Sequence, residues 1–406
     1  MDTVNPLWSK TEQTVLDLLA TNLFGADRSV VPDFDFSEVW QESYLHTVPL
    51  LAFSDAIPTM PQDFKAFLSG QFNTIITRNS RRIGEHVFLH KLMTEAGINY
   101  TIIKGFACSL YYPDPLLRLI GDVDFLVKPD DFDRAEALLI EKGFTPVKST
   151  GESHKVFVYM GCRYEMHHEP AGVPDGEIGD VTKVLLKEAV SSAHSHTTEF
   201  GTIYVPDKFH HGLIILLHMC HHLNGEGIGL RHLCDWAVFV NSMSRAEFCK
   251  LFEKSLKSIG LWHFACVLTS LCVEYLGCNA ESLLEQIDND SIALYMSDII
   301  KGGNFGQKDD DRSHQALLMS RENAEKESGS LKNLFSSLNR AVYKNWAWCR
   351  KFKLLLPLGW LFFGVRYIAR SVKGKRPEIN IGSVVSGAKE RKTLYKSLKL
   401  FETEKK

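Results

Sequence analysis

Paired-cysteine signals are missing from this chain. Its nine cysteines, at 108, 162, 220, 234, 249, 266, 272, 278 and 349, include no C-x-x-C pair and are odd in number. That argues against a zinc ribbon or a disulfide framework, so reduced thiols and a cytoplasmic setting are expected. The opening Met1-Asp2-Thr3-Val4-Asn5-Pro6 carries neither a basic nor an apolar stretch, so no secretory leader is expected. Crossing a bilayer takes ~20 apolar residues. The apolar stretch 354–365, flanked by Lys351, Lys353, Arg366 and Arg370, is too short and suits an interfacial or docking helix. Internal repeats and low-complexity tracts are absent. Positive charge is scarce over most of the chain: residues 340–406 hold 17 Lys and Arg against 4 Glu, a balance of +13, which leaves −16 on residues 1–339. An acidic body lacks the electrostatic footprint for wrapping nucleic acid, whereas the basic tail could dock on that body or meet an anionic membrane or an acidic partner.

What is present is ordinary globular material, 45% hydrophobic and 23% charged over 406 residues. That length suits two or three domains, or one catalytic core with a helical partner. Apolar spacing of three and four predicts helices over 11–23 and 61–92, with the run 80–96 stopped at Gly97. Tyr100-Thr101-Ile102-Ile103 reads as a buried strand ended by Lys104-Gly105. A helix over 106–112 follows, stopped by Pro113-Asp114-Pro115. Further on come a helix from Pro129 to the stop at Gly143, an edge strand over 145–149, and a hairpin pairing 155–160 with 163–168. Residues 169–200 read as a variable insertion around one short helix. Helices return at 207–223, 230–242 and within 245–276, and 301–330 reads as a polar loop with a short helix.

The most informative segment is Ile120-Gly121-Asp122-Val123-Asp124-Phe125-Leu126-Val127. Side chains at i and i+2 of a strand share a face, so Asp122 and Asp124 point the same way from an apolar element. Two like charges that close call for a cation, and oxygen-only ligands suit a hard one such as Mg²⁺, or Mn²⁺, which usually enters with substrate phosphates. The strand–Gly–helix junction at Gly105 turns backbone N–H groups and a positive helix end toward an anion, as a triphosphate would need. Lys104 and Arg118 flank that pocket and are candidates to neutralise the triphosphate. Glu165, between Tyr164 and Met166, offers a third carboxylate that could hold the metal and accept an acceptor's proton. His167 shares its face, and His168 points away. His218 and His222 have i, i+4 zinc spacing, but Glu is missing from the H-E-x-x-H position, so they read as cleft lining. Arg231 and Asp235, four apart on a helix, can form an ion pair.

An h-Asp-h-Asp-h strand after a strand–Gly–helix, with a later h-Glu-h, resembles the polymerase β-like nucleotidyltransferase superfamily. The sequence is most similar to its bacterial uncharacterised nucleotidyltransferase family, through Ile103-Lys104-Gly105, Tyr112-Pro113-Asp114-Pro115, Arg118, Gly121 to Pro129, Tyr164-Glu165-Met166-His167, His218 and the helical Leu230 to Asp235. The resemblance implies an α+β fold: a small mixed-sheet nucleotidyltransferase core at 96–205, an N-terminal helical segment at 1–95, a helical domain at 206–339 and a basic tail at 340–406. It implies transfer of an NMP group from an NTP to an acceptor hydroxyl, with His167, His218, Arg231 and Asp235 as acceptor-site lining or support. A small molecule or peptide acceptor is favoured over long nucleic acid. The superfamily's usual Gly-Gly or Gly-Ser is Gly105-Phe106 here. That departure keeps a non-catalytic nucleotide-binding module as the alternative, with a metal-dependent phosphohydrolase using the helix histidines as the third reading.

Overall fold

In a computed structural model the described residues are 7–28, 34–147 apart from 56 and 58, 154–280, 287–319 apart from 310, 313 and 317, position 359, and 381–403. Apart from position 359, the apolar stretch 354–365 lies outside them, as does most of the basic tail.

The chain opens with helices α1 (Lys10–Phe24), α2 (Phe36–Leu45), α3 (Pro49–Ala52) and the long α4 (Gln62–Glu95). A capping box starts α1: the Glu12 backbone N–H donates to the Ser9 hydroxyl, and the Glu12 carboxylate accepts from the Ser9 N–H. Five strands follow: β1 (Tyr100–Ile102), β2 (Val123–Val127), β3 (Thr145–Val147), β4 (His154–Tyr159) and β5 (Cys162–His167), in the order β1-β2-β5-β4-β3. Only β2 and β5 run parallel; the other pairs are antiparallel. Between strands lie the short α5 (Phe106–Ser109) and α6 (Phe132–Glu141). This is the mixed-sheet α+β fold expected of a nucleotidyltransferase core.

Alternation along β2 places the site. Val123, Phe125 and Val127 enter a core with Ile83 and Leu89 of α4 and Leu139 of α6. Leu126 points the other way, into a larger core built by the helices that follow. Those are α7 (Glu177–Leu186), α8 (Lys208–Leu223), α9 (Leu230–Asn241), α10 (Arg245–Phe248), a π-helical stretch Cys249–Glu253 leading into α11 (Lys254–Ser258), α12 (Trp262–Leu276) and α13 (Asn289–Gly302). Polar residues that alternate with Phe125 on β2 therefore face α8 and α9. Gly212 lets α8 pack closely on α9 and the π-helical stretch: a Cβ there would lie 2.6 Å from the Phe252 ring and 2.7 Å from Phe239. Leu16 and Leu19 of α1 belong to the same large core, so the N-terminal helices pack on α12 as well as leading into α4.

One element differs from expectation. The insertion at 169–200 contains a strand, β6 (His194–Thr198), which pairs antiparallel with β7 (Gly201–Val205) as a second small sheet. Its residues are polar and largely exposed, so no apolar alternation marks it; Ile203 and Val205 of the partner are buried instead. The end of the basic tail packs on the body. Ala388, Tyr395 and Leu398, on and just after the C-terminal helix Ile381–Lys396, enter the large core. The Tyr395 hydroxyl donates to Asp298 Oδ2 at 2.5 Å, and Arg312 Nη2 lies 2.8 Å from Asp298 Oδ1. Ending the chain at residue 380 would uncover this surface, where each large apolar side chain is worth ~1.5–3 kcal/mol. The truncated protein should melt several degrees lower by circular dichroism; an unchanged melt would mean the helix contributes nothing to the fold. Among the described residues no helix is long and apolar enough to cross a membrane.

Candidate active site

Parallel pairing of β2 with β5 sets Asp124 directly opposite Glu165 and Leu126 opposite His167. Both acids and the histidine therefore share the face turned to α8 and α9. One ligand atom from each of Asp124, Glu165 and His167 lies within 4.8 Å of the others. Asp122 stands at the mouth of β2, more open to solvent, and joins the group through Arg163, whose Nε is 3.3 Å from Asp122 Oδ2 and 2.8 Å from Glu165 Oε1. Cationic side chains hold this acidic cluster together. Lys104 Nζ is 2.7 Å from Asp124 Oδ1, and His167 Nε2 is 3.3 Å from the same oxygen.

The charges follow from this arrangement. Burial works against ionising Asp124, but Lys104 and His167 outweigh it and hold the carboxyl below its ordinary range. A hydrogen bond from His167 likewise lowers Glu165 despite its burial. His167 is raised: burial opposes its charge, and the two carboxylates more than compensate. Asp122 goes the other way, pushed up by burial and by the charges of Asp124 and Glu165. Carboxylate oxygens on one face with a residual like-charge repulsion suit a hard divalent cation.

Backbone devices aim the group. Gly105 has φ 55° and ψ −108°, and a Cβ there would sit 3.4 Å from the Asp122 carbonyl oxygen. Gly105→Ala should cost ~1–3 kcal/mol in strain and shift the Asp122 backbone. A thermal melt within a degree of the parent would contradict this. From α4, Asn79 binds the loop that carries Asp122: its amide donates to the carbonyls of Leu116 (2.7 Å) and Arg118 (3.0 Å), and its oxygen accepts from Ile120 N–H at 3.1 Å. The helix expected over 106–112 is one turn, Phe106–Ser109. The Ser109 hydroxyl donates back to the Phe106 carbonyl at 2.7 Å, and Tyr111 and Tyr112 N–H groups reach back only three residues before Pro113 ends the segment. So short a helix brings little dipole to an anion. Phe106 itself is buried, its ring edge-on to His86.

Opposite the sheet, α8 and α9 supply the other wall of a cavity of about 310 Å³, within the range of ligand pockets. Arg118 lines this cavity, is 5% exposed and grips Asp235 through Nε and Nη2, each at 2.7 Å. One expectation needs correction. The expected Arg231–Asp235 ion pair does not form, because both Asp235 oxygens face Arg118 and Tyr112 donates to Oδ1 as well. Arg231 instead lies over the Phe305 ring at 5.4 Å. His218 and His222 meet Nε2 to Nε2 at 2.9 Å, and His232 from α9 completes a cluster whose ring nitrogens lie within 4.8 Å. Burial is the first cause keeping all three neutral, with His222 held down at about 3.

The cavity thus brings Lys104, Gly105, Arg118, Asp122, Asp124, Glu165, His218, Arg231 and Asp235 together, and His167 stands behind the acids. Sequence reasoning missed Arg163, Asn79, His232 and Phe305. Arg163 was legible in principle, two residues before Glu165 and so on its face; the others come from separate elements and carried no local signal.

An acidic strand pair thus faces a helical wall across a cavity lined by Lys104, Arg118 and Arg231. The profile of the uncharacterised nucleotidyltransferase family matches residues 13–277, and the chain belongs to that family. A comparison with curated proteins finds no match.

Proposed function

We propose that the protein transfers an NMP group from an NTP to the hydroxyl of an acceptor. The observation that carries this reading is the in-register facing of Asp124 and Glu165, with Asp122 at the strand mouth, on a cavity that also holds Lys104 and Gly105. The acceptor oxygen forms a bond to the α-phosphorus, the α–β bridging bond breaks, pyrophosphate leaves, and the hydroxyl proton passes to a carboxylate of this set, Glu165 in our assignment. Asp122, Asp124 and Glu165 would hold Mg²⁺ or Mn²⁺, which supplies charge neutralisation on the phosphates when bound. Lys104 is exchangeable in this scheme: it neutralises Asp124 in the free protein and is close enough to turn to a phosphate once a cation takes its place. A small-molecule or peptide acceptor fits the acidic body better than long nucleic acid. The free thiols favour a cytoplasmic setting. Contact of the remaining basic tail with an anionic membrane or acidic partner would be read by vesicle co-sedimentation at low and high salt.

A non-catalytic nucleotide-binding module is the second reading. It is favoured by Phe106, which is buried directly after Gly105, where the Gly-Gly or Gly-Ser of the superfamily that the sequence resembles would place a small side chain. Incubating the protein with each radiolabelled NTP, Mg²⁺ and cell extract separates the two. Label moving to an acceptor, abolished by EDTA, supports transfer. Mg²⁺-dependent NTP binding without transfer supports the module, and absence of binding removes both.

A further inference from the structure

The helical wall of the cavity holds charge and donors that the acidic cluster does not use. Lys104 and Arg118 are each paired with a carboxylate, Asp124 and Asp235. Arg231 is not: among the described residues it has no ion pair, and its enclosed Nε finds no acceptor. Burial and the neighbouring Arg118 lower its pKa only to about 10, so it stays charged at neutral pH.

The three histidines beside it look at first like ligands for a transition metal. One hydrogen bond argues otherwise. The Gly229 backbone N–H donates to His232 Nδ1 at 3.2 Å, so the proton of the neutral ring sits on Nε2. Metal-bound histidines show the reverse, donating from the far nitrogen to an acceptor. His232 is 4% exposed, and Nε2 has no partner. His218 and His222 already share one proton between their Nε2 atoms. This wall therefore offers orphan N–H donors and one guanidinium that no carboxylate pairs directly, the complement of an anion. Phe305 closes it: the residue holds φ 54°, and its ring lies tilted at 4.5 Å from His222 and edge-on at 5.1 Å from His232. A non-glycine residue kept in that strained region needs its surroundings to hold it there.

We propose that Arg231 and His232 form a subsite for an anionic group, a phosphate or a carboxylate, carried by the acceptor whose hydroxyl receives the nucleotidyl group. The inference rests on the transfer reading, with the nucleotide on the Lys104–Gly105 side and the acceptor on the α8–α9 side.

Calorimetric titration of the full chain with inorganic phosphate, and separately with acetate, tests it. Each titration is run with and without Mg²⁺ and a non-hydrolysable α,β-methylene NTP. Phosphate or acetate should bind both forms, and Arg231→Gln should weaken that binding at least tenfold, with Arg231→Lys recovering part of it. Circular dichroism confirms that the variants are folded. Phosphate tighter than acetate marks a phosphorylated acceptor, and the reverse a carboxylate. Expulsion of the anion by the nucleotide, or a tenfold loss of nucleotide affinity in Arg231→Gln, would assign the site to the triphosphate and overturn the proposal. So would stoichiometric zinc that survives dialysis and is lost in His232→Ala, or equal anion binding by parent and Arg231→Gln. Arg231-dependent anion binding with no NTP binding at all would keep the subsite and strike the transfer reading alone.

Discussion

Asp124→Asn is expected to lower nucleotidyl transfer by about 10²–10³-fold, the scale on which a lost charge-stabilising group acts, and also to weaken the fold. Asp122→Asn should lose activity comparably and leave stability alone. The difference follows from their partners. Asp124 is 13% exposed at its side chain and neutralises Lys104 while accepting from His167. Removing its charge leaves a largely enclosed ammonium and a raised imidazole facing an amide. Breaking one side of a buried pair costs ~3–5 kcal/mol; residual solvent access and the oxygen that Asn retains reduce this to ~1–2 kcal/mol. Asp122, at 42% exposure, has Arg163 beside it and two like charges near it, so replacement relieves repulsion and should move stability by no more than ~0.5 kcal/mol. Transfer assays at limiting Mg²⁺ and urea midpoints on both variants check this. Full activity in both would remove the assignment of the acids, and equal midpoints would remove the role given to Lys104.

The same contrast shows what could be read in the sequence. That Asp122, Asp124 and Glu165 come together was legible because Asp124 and Glu165 each lie in a short strand whose apolar neighbours alternate with them, with Asp122 two residues before Asp124. Strand and helix ends were legible where Gly97, Gly105 and Gly143 punctuate apolar runs. Pairings across the chain were not. Arg231 and Asp235 sit at the right spacing for an ion pair, but Arg118 reaches Asp235 from 117 residues away with a two-pronged grip that helix spacing cannot reveal. The three-histidine cluster was half visible, as the i, i+4 pair on α8; His232 joins it only because α9 packs across that helix. The hairpin of β6 and β7 escaped because its first strand is polar, and one short apolar partner carries its burial.

Asp235→Ala should destabilise the protein by ~3–5 kcal/mol, a larger loss than either Asp124→Asn or Gly105→Ala should cause. It would leave Arg118, 5% exposed, as an uncompensated buried cation and would take the acceptor from the Tyr112 hydroxyl. A buried pair is dearer to break than to replace, so Arg118→Met with Asp235→Leu should recover most of the loss, a coupling that a double-mutant cycle measures. Recovery of stability should not bring recovery of transfer. Arg118 belongs to the loop that Asn79 binds and that leads into Asp122, while Asp235 lies one turn after Arg231 on α9. The ion pair therefore bolts the acidic strand to the wall proposed to hold the acceptor, and apolar packing supplies cohesion without that fixed register. A ~1 Å displacement between reacting groups can cost ~10²-fold in rate. A stable double variant with unchanged kcat/KM would show that packing alone positions the two walls. A stable one with transfer reduced by about that factor would show that Arg118 and Asp235 serve catalysis through alignment while touching neither nucleotide nor acceptor.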